Sequence, residues 1–251
     1  MGELMRRADR GHQDEPVSDA ASSTPTAQVY GRLRDDIILV ALQPGQKLTL
    51  DLLKDRYSVG MTPLREALYR LSASMLVVLE DRRGFRVAPV SPAHLAEVIA
   101  SREEVEALLL RNSLQHGDVD WEARIVAAYH GLMRASEYRP NPGPYTVEWE
   151  GAHRTFHDAI LSAARLPMLE DFHRSLWDHC APYRNLAYGG KPIETAVFDG
   201  HQQIMDAVLA RRDSLRIAIR MDPANLRMAV RLQNGRPLEA LALFDREQAM
   251  N

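Results

Sequence analysis

A single run, Thr62-Pro63-Leu64-Arg65-Glu66-Ala67-Leu68-Tyr69-Arg70-Leu71, narrows the folds open to this chain more than any other segment. Leu64, Ala67, Leu68 and Leu71 recur at i, i+3, i+4 and i+7, so they share one helical face and need a core to cover them. A threonine hydroxyl can cap a first turn, and a proline at the first helical position gives up an amide that has no intrahelical partner. The helix is therefore expected to begin at Pro63 with Thr62 as its cap. Its other face carries Met61, Thr62, Arg65, Tyr69 and Arg70. That face is polar, cationic at two points and concentrated in the N-terminal half, as in a helix that enters the major groove of DNA.

The flanking segments extend this reading. Upstream, Leu48 to Tyr57 is patterned as a second short amphipathic helix with Thr49 at its start, and Ser58-Val59-Gly60 has the length and glycine content of a helix-turn-helix corner. Before it, Val29, Tyr30, Leu33, Ile37 and Ile38 mark a first helix running from Ala27 and ending ahead of Gln43-Pro44-Gly45. Downstream, Leu76 to Glu80 and Phe85 to Ala88 are β-prone runs around Asp81-Arg82-Arg83-Gly84, a hairpin with a basic tip. Residues 27–90 thus spell a winged helix-turn-helix unit. Thr49, Met61, Thr62, Arg65, Tyr69, Arg70, Arg82, Arg83 and Gly84 are the residues placed to meet double-stranded DNA.

Pro44-Gly45, the Thr62 to Leu68 string, and Arg82-Arg83-Gly84-Phe85-Arg86-Val87 together resemble the N-terminal domain of GntR-type bacterial transcription regulators. The likeness is to the FadR-like branch, which carries an FCD-type helical effector domain, and it spans roughly residues 27 to 222. It implies a homodimer that reads an inverted-repeat operator and, most often, a repressor relieved by a ligand. The family usually has Ser-Arg before Thr-Pro, where this chain has Gly60-Met61. Loss of that arginine removes a guanine contact, so the family's operator sequence does not carry over.

The net charge is -3, and the signs in the first ninety residues nearly cancel, so overall charge does not advertise nucleic acid. The argument rests on where the arginines stand, because a local patch binds phosphate even in a neutral domain. Cys180 is the sole cysteine, which excludes an internal disulfide and fits a reducing cytoplasm. No run approaches the roughly 20 apolar residues of a membrane helix, and the start of the chain lacks an apolar signal core. A cytoplasmic protein without a membrane partner is expected.

Residues 1–26 are charged, then rich in Ser, Thr, Pro and Ala, and are read as a disordered lead. Pro89 to Pro92 is a hinge, and Ser91-Pro92 a good helix start. Beyond it the pattern is helical over about 92–116, 118–137, 145–165, 168–188, 193–211 and 213–222, which implies an antiparallel all-α bundle over 91–222. Residues 223–251 form a tail whose Leu238 to Phe244 segment is either a small helix packed across a dimer or a loose end. The expected fold is mainly α, a winged unit with a small β-hairpin followed by that bundle.

His153 and His157 are one helical turn apart and share a stripe with Trp149, Phe156 and Ile160, so they point inward. His201, followed by Ile204, Met205 and Val208, lies on the buried side of its helix, and Asp222 follows Leu215, Ala218 and Ile219 in the same way. Neutral imidazoles and a carboxylate from three helices suit a divalent transition metal such as Zn, Ni, Mn or Fe. The plainer reading makes each a core residue satisfied by its own neighbour. The resemblance implies a metal held by an Asp-x-x-x-His pair and two later histidines; here His153 stands at the Asp position and Asp222 near the last histidine, as though the two had exchanged. Arg102 and Arg184 are the candidates to hold a small carboxylate effector, because a planar guanidinium suits that group. Against this stand an ordinary Arg102–Glu106 helix pair and a solvated Arg184. His179, which shares its helix with Trp177 and Tyr183, either approaches the pocket or is structural. A rival class is a metal-dependent hydrolase built on the three histidines. It leaves the first ninety residues unexplained and offers no evident general base, since Asp158 points roughly 100° away from His157.

Overall fold

The structure, a computed structural model, describes residues 24–81, 83–137, 147–188 and 195–212. Helix α1 (Pro25–Ile38) starts where Thr24 accepts a hydrogen bond from the Ala27 amide at 3.2 Å, with Pro25 at the first helical position. The expected start at Ala27, behind a disordered lead reaching residue 26, comes too late for that cap. Strand β1 (Lys47–Leu48) follows, then α2 (Leu50–Tyr57) and α3 (Met61–Ala73). Leu48 is therefore not the first residue of a helix. It lies in β1 opposite Phe85, with its side chain buried, and extended Thr49 separates it from α2.

Helix α3 also begins earlier than its threonine suggests. Gly60, in an extended conformation, is the N-cap, and Thr62 is already inside the first turn. Pro63 then occupies the third helical position, where its missing amide still costs nothing because that amide has no acceptor within the helix. The apolar stripe is where the periodicity puts it: Leu64, Ala67, Leu68 and Leu71 are fully buried. Burying each leucine contributes about 1.5–3 kcal/mol. Strands β2 (Val77–Glu80) and β3 (Gly84–Val87) form the hairpin, and β1 adds to β3 so that the sheet order is β1-β3-β2, antiparallel throughout. Gly84 has φ +90°, a conformation that side chains resist. One core joins these elements, centred on Leu33, Leu53, Leu64, Leu68 and Phe85.

Helix α4 (Pro92–His116) is capped by Ser91, whose hydroxyl accepts from the His94 amide at 3.1 Å. It is followed by α5 (Val119–Glu137), α6 (Val147–Leu161), α7 (Pro167–Tyr188) and α8 (Thr195–Leu209). Helix α5 packs on α6 and α8, and α4 on α7 and α6, around a second core that includes Trp121, Ile125, Trp149, Phe156 and Ile204. The sixth helix expected at 213–222 and the tail at 223–251 lie outside the described residues. Two polar groups of the bundle interior find backbone acceptors: Ser113 donates to the Leu161 carbonyl at 2.8 Å and Trp121 Nε1 to the Ile160 carbonyl at 3.2 Å. Among the described residues no helix is long and apolar enough to cross a membrane. The winged unit touches the bundle where α1 lies against α7.

Candidate DNA-binding face and histidine centre

With its stripe buried, α3 leaves Met61, Thr62, Arg65, Tyr69 and Arg70 exposed. Tyr69 meets Phe85 edge-on at 5.2 Å, which braces its ring against the sheet. Arg70 lies with its guanidinium 4.3 Å over the Tyr30 ring of α1, a cation–π contact that holds it against α1 rather than at the helix tip. Thr49 is exposed at the N-terminus of α2, whose first amides lack helical acceptors. Arg83 and Gly84 are exposed at the hairpin tip, and Arg82 lies outside the described residues. The need for a glycine at position 84 is backbone conformation. Arg86 points back into the fold, to Glu80 at 2.9 Å and the Gly45 carbonyl at 2.5 Å. Met61, Thr62, Arg65 and Tyr69 therefore share one exposed face with the α2 N-terminus and the hairpin tip as separate exposed points.

Inside the bundle, His153 and His157 of α6 and His201 of α8 converge as the two stripes require. Ring centroids lie 4.8 Å (His153–His157), 4.9 Å (His153–His201) and 5.4 Å (His157–His201) apart. One nitrogen from each falls within 4.8 Å of the others, and all three residues are buried. His157 Nε2 is 3.4 Å from His201 Nε2. Burial, and then the neighbouring imidazoles, hold His153 and His157 well below the usual histidine range, so both are neutral with a lone pair to offer. Nδ1 of each has no hydrogen-bond partner among the described residues. Asp222 lies outside them.

Arg102 and Arg184 flank this centre, and both are fully buried. Arg102 does form the helix pair that competed with the effector reading: Nε donates to Glu106 Oε1 at 2.7 Å, and His173 Nε2 lies 2.8 Å from that same oxygen. A solvated Arg184 is ruled out, because its guanidinium pairs with Glu150 inside the bundle. Burial pushes the Glu106 carboxyl upward, but Arg102 and His173 outweigh it and leave the group lowered to about 2. The two guanidinium groups lie over the Trp177 ring at 4.5 and 4.7 Å. Trp177 is also 4.9 Å from His153 and 5.0 Å from His157, and donates through Nε1 to Glu150 Oε1 at 2.9 Å. Periodicity marks Trp177 as apolar without marking what it touches. Glu106 was visible only as a helix partner, and Glu150 carried no signal. His179 has its Nε2 2.9 Å from the Ser74 carbonyl.

Residues 25–87 match the bacterial regulatory proteins of the gntR family, and residues 97–233 match the FCD domain. The HTH-type transcriptional regulator BphR of Paraburkholderia xenovorans (strain LB400) is 36% identical over 207 residues, covering 79% of this chain and 84% of that protein. This chain belongs to the gntR family. Another gntR-type relative, the HTH-type transcriptional repressor GlaR of Escherichia coli (strain K12), is 34% identical over 186 residues, 72% of this chain and 84% of its own length. The fold is shared with E. coli McbR/YncC, at a TM-score of 0.70 and 22% identity over 84% of this chain and 99% of that one. These gntR relatives are transcription regulators rather than enzymes, so the hydrolase reading is set aside. Asp158, the carboxylate nearest His157 in sequence, is taken up by Arg154 at 3.6 Å.

Proposed function

We propose that this gntR regulator is a ligand-relieved repressor which, as a homodimer, binds an inverted-repeat operator and senses a small carboxylate at a divalent transition metal held by His153, His157 and His201. The observation that carries the sensor reading is the convergence of three buried imidazoles, two of them held neutral and with unpartnered Nδ1 atoms. Tetrahedral zinc with Zn–N bonds of about 2.0–2.1 Å sets its nitrogens about 3.4 Å apart, which is the His157–His201 spacing. A bound metal would supply a Lewis-acidic position open to an anionic ligand. Asp222 remains a candidate fourth ligand.

Charge balance supports coupling effector to metal. Arg102 is matched by Glu106 and Arg184 by Glu150, so the buried arginines already have anions beside them. An added carboxylate would bring uncompensated negative charge into a buried space, which is strongly unfavourable without a further cation. Arg102 and Arg184 then act by orienting the ligand through donors fixed against Trp177. On the DNA side, Arg65, Arg82 and Arg83 anchor phosphates, Thr49 supports them at the α2 N-terminus, and Met61, Thr62 and Tyr69 approach base edges. Arg70, held over Tyr30, stiffens the helix more than it reaches. Repression follows the relative GlaR, a repressor by name.

Elemental analysis of the purified protein, paired with footprinting of its upstream DNA, tests both halves. About one equivalent of transition metal per chain is expected, with a chelator lowering the melting temperature by mass action, and His157→Ala should abolish both effects. Two protected half-sites are expected in the footprint. Protein that melts identically with and without chelator would return the histidines to an ordinary core, and a single asymmetric half-site would remove the dimer.

A further inference from the structure

Helix α7 has two working faces, and adjacent residues serve them. Trp177 faces the histidine centre. Asp178, turned about 100° around the helix, faces α1 and receives Arg34 in a bidentate pair, Nε to Oδ2 at 2.6 Å and Nη2 to Oδ1 at 2.5 Å. Arg154 Nη1 donates to the same Oδ1 at 2.8 Å. Arg154 follows His153 directly on α6, as Asp178 follows Trp177 on α7. Both bundle members of the triad are thus covalent neighbours of residues that build the centre. The side chains of Arg34 and Asp178 are only 22% and 12% exposed, so the pair is shielded from solvent screening.

Two features add to this. Pro182 lies inside α7 and lacks the amide that would bond the Asp178 carbonyl, which loosens the helix just after the triad. Asn185 Nδ2, beyond that point, donates to the Ile38 carbonyl at the end of α1 at 2.8 Å. The α1 helix is therefore gripped on both sides of a weakened place in α7, and α1 packs directly on α3.

We propose that Asp178 is the positioning residue that docks the DNA-binding unit on the bundle through Arg34, and that a change at the histidine centre reaches α1 through the Trp177-Asp178 and His153-Arg154 neighbour pairs. The coupling half rests on the metal-sensor reading above; the docking half does not. A bidentate guanidinium–carboxylate pair fixes orientation as well as distance, so loss of either partner frees α1 to open locally. Small shifts of α6 or α7 then select between docked and released arrangements.

Hydrogen exchange of the full-length protein, metal-depleted and with zinc chloride added, separates the two halves. In metal-depleted protein, Asp178→Asn should speed exchange of the α1 amides about tenfold while amides around Trp121 and Ile125 in α5 stay unchanged. Arg34→Gln should reproduce the effect, which guards against misfolding of the first variant, and Asp178→Glu should restore part of the protection. Wild-type exchange at α1 in both folded variants would overturn the docking role. Zinc should alter α1 exchange in the wild type and leave it unaltered in Asp178→Asn, with zinc affinity the same in both proteins. Zinc that binds the wild type without moving α1 exchange would overturn the coupling. A wild type that binds no zinc would instead remove the metal-sensor reading and the coupling with it, leaving the docking result to stand on its own.

Discussion

Arg65 shows how much one position can say. It lies in the first turns of α3, opposite Leu64 and Leu68, and is exposed while they are fully buried. Arg65→Ala should leave the fold intact and weaken operator binding by about 1–3 kcal/mol, with the salt slope of log K reduced by about 1. Gel shifts at several salt concentrations measure both, and unchanged affinity would exclude a phosphate contact. Not every exposed residue of the face is equally free: Arg70 is spent on Tyr30 and Tyr69 is braced by Phe85. The histidines were legible as inward-facing because 3.6-residue periodicity fixes a face. Their partner was not, since Trp177 reaches His153 and His157 from another helix, α7.

At the scale of elements, sequence boundaries failed where a cap or a pairing competes with propensity. Gly60 rather than Thr62 caps α3, and Leu48 was drawn into β1 by Phe85, a partner far along the chain. Where the cap is local, as with Ser91 before α4, the start is where the sequence puts it. Packing sets a sharper limit at Gly117, the C-cap of α4. A Cβ there would lie 2.2 Å from the Trp121 ring, and the indole is fixed by its bond to the Ile160 carbonyl. The φ of -63° is ordinary, so the constraint is space alone. Gly117→Ala should destabilise the bundle by about 1–3 kcal/mol through overpacking, read as a lower urea midpoint. A midpoint equal to wild type would mean the α4–α5 corner relaxes freely.

For the molecule as a whole, buried histidines set the acid response of the metal-free protein. The folded state holds His153 and His157 below their ordinary value of 6.5, chiefly by burial, so the unfolded chain takes up protons that the folded chain refuses. Stability is therefore complete above that value and is lost as pH falls below it, at up to about 1.4 kcal/mol per pH unit for each histidine. Glu106, lowered to about 2, adds stability above its ordinary 4.5 that disappears only toward about 2, and has no part in the earlier decline. Urea melts of chelator-treated protein between about pH 7.5 and 5.5 should show this fall; a flat profile would contradict it. Periodicity, turn chemistry and the Thr62 to Leu71 string were enough to determine the winged unit, the helical bundle, the family and the inward stripes, because each depends on residues a few positions apart. Only the tertiary structure could decide that the Arg102–Glu106 helix pair is buried, that Arg184 is matched by Glu150, that Trp177 lies under both arginines, and that Arg34 reaches Asp178. Those contacts join residues up to 144 positions apart, and local spacing carries no information about which distant side chain will meet a buried charge.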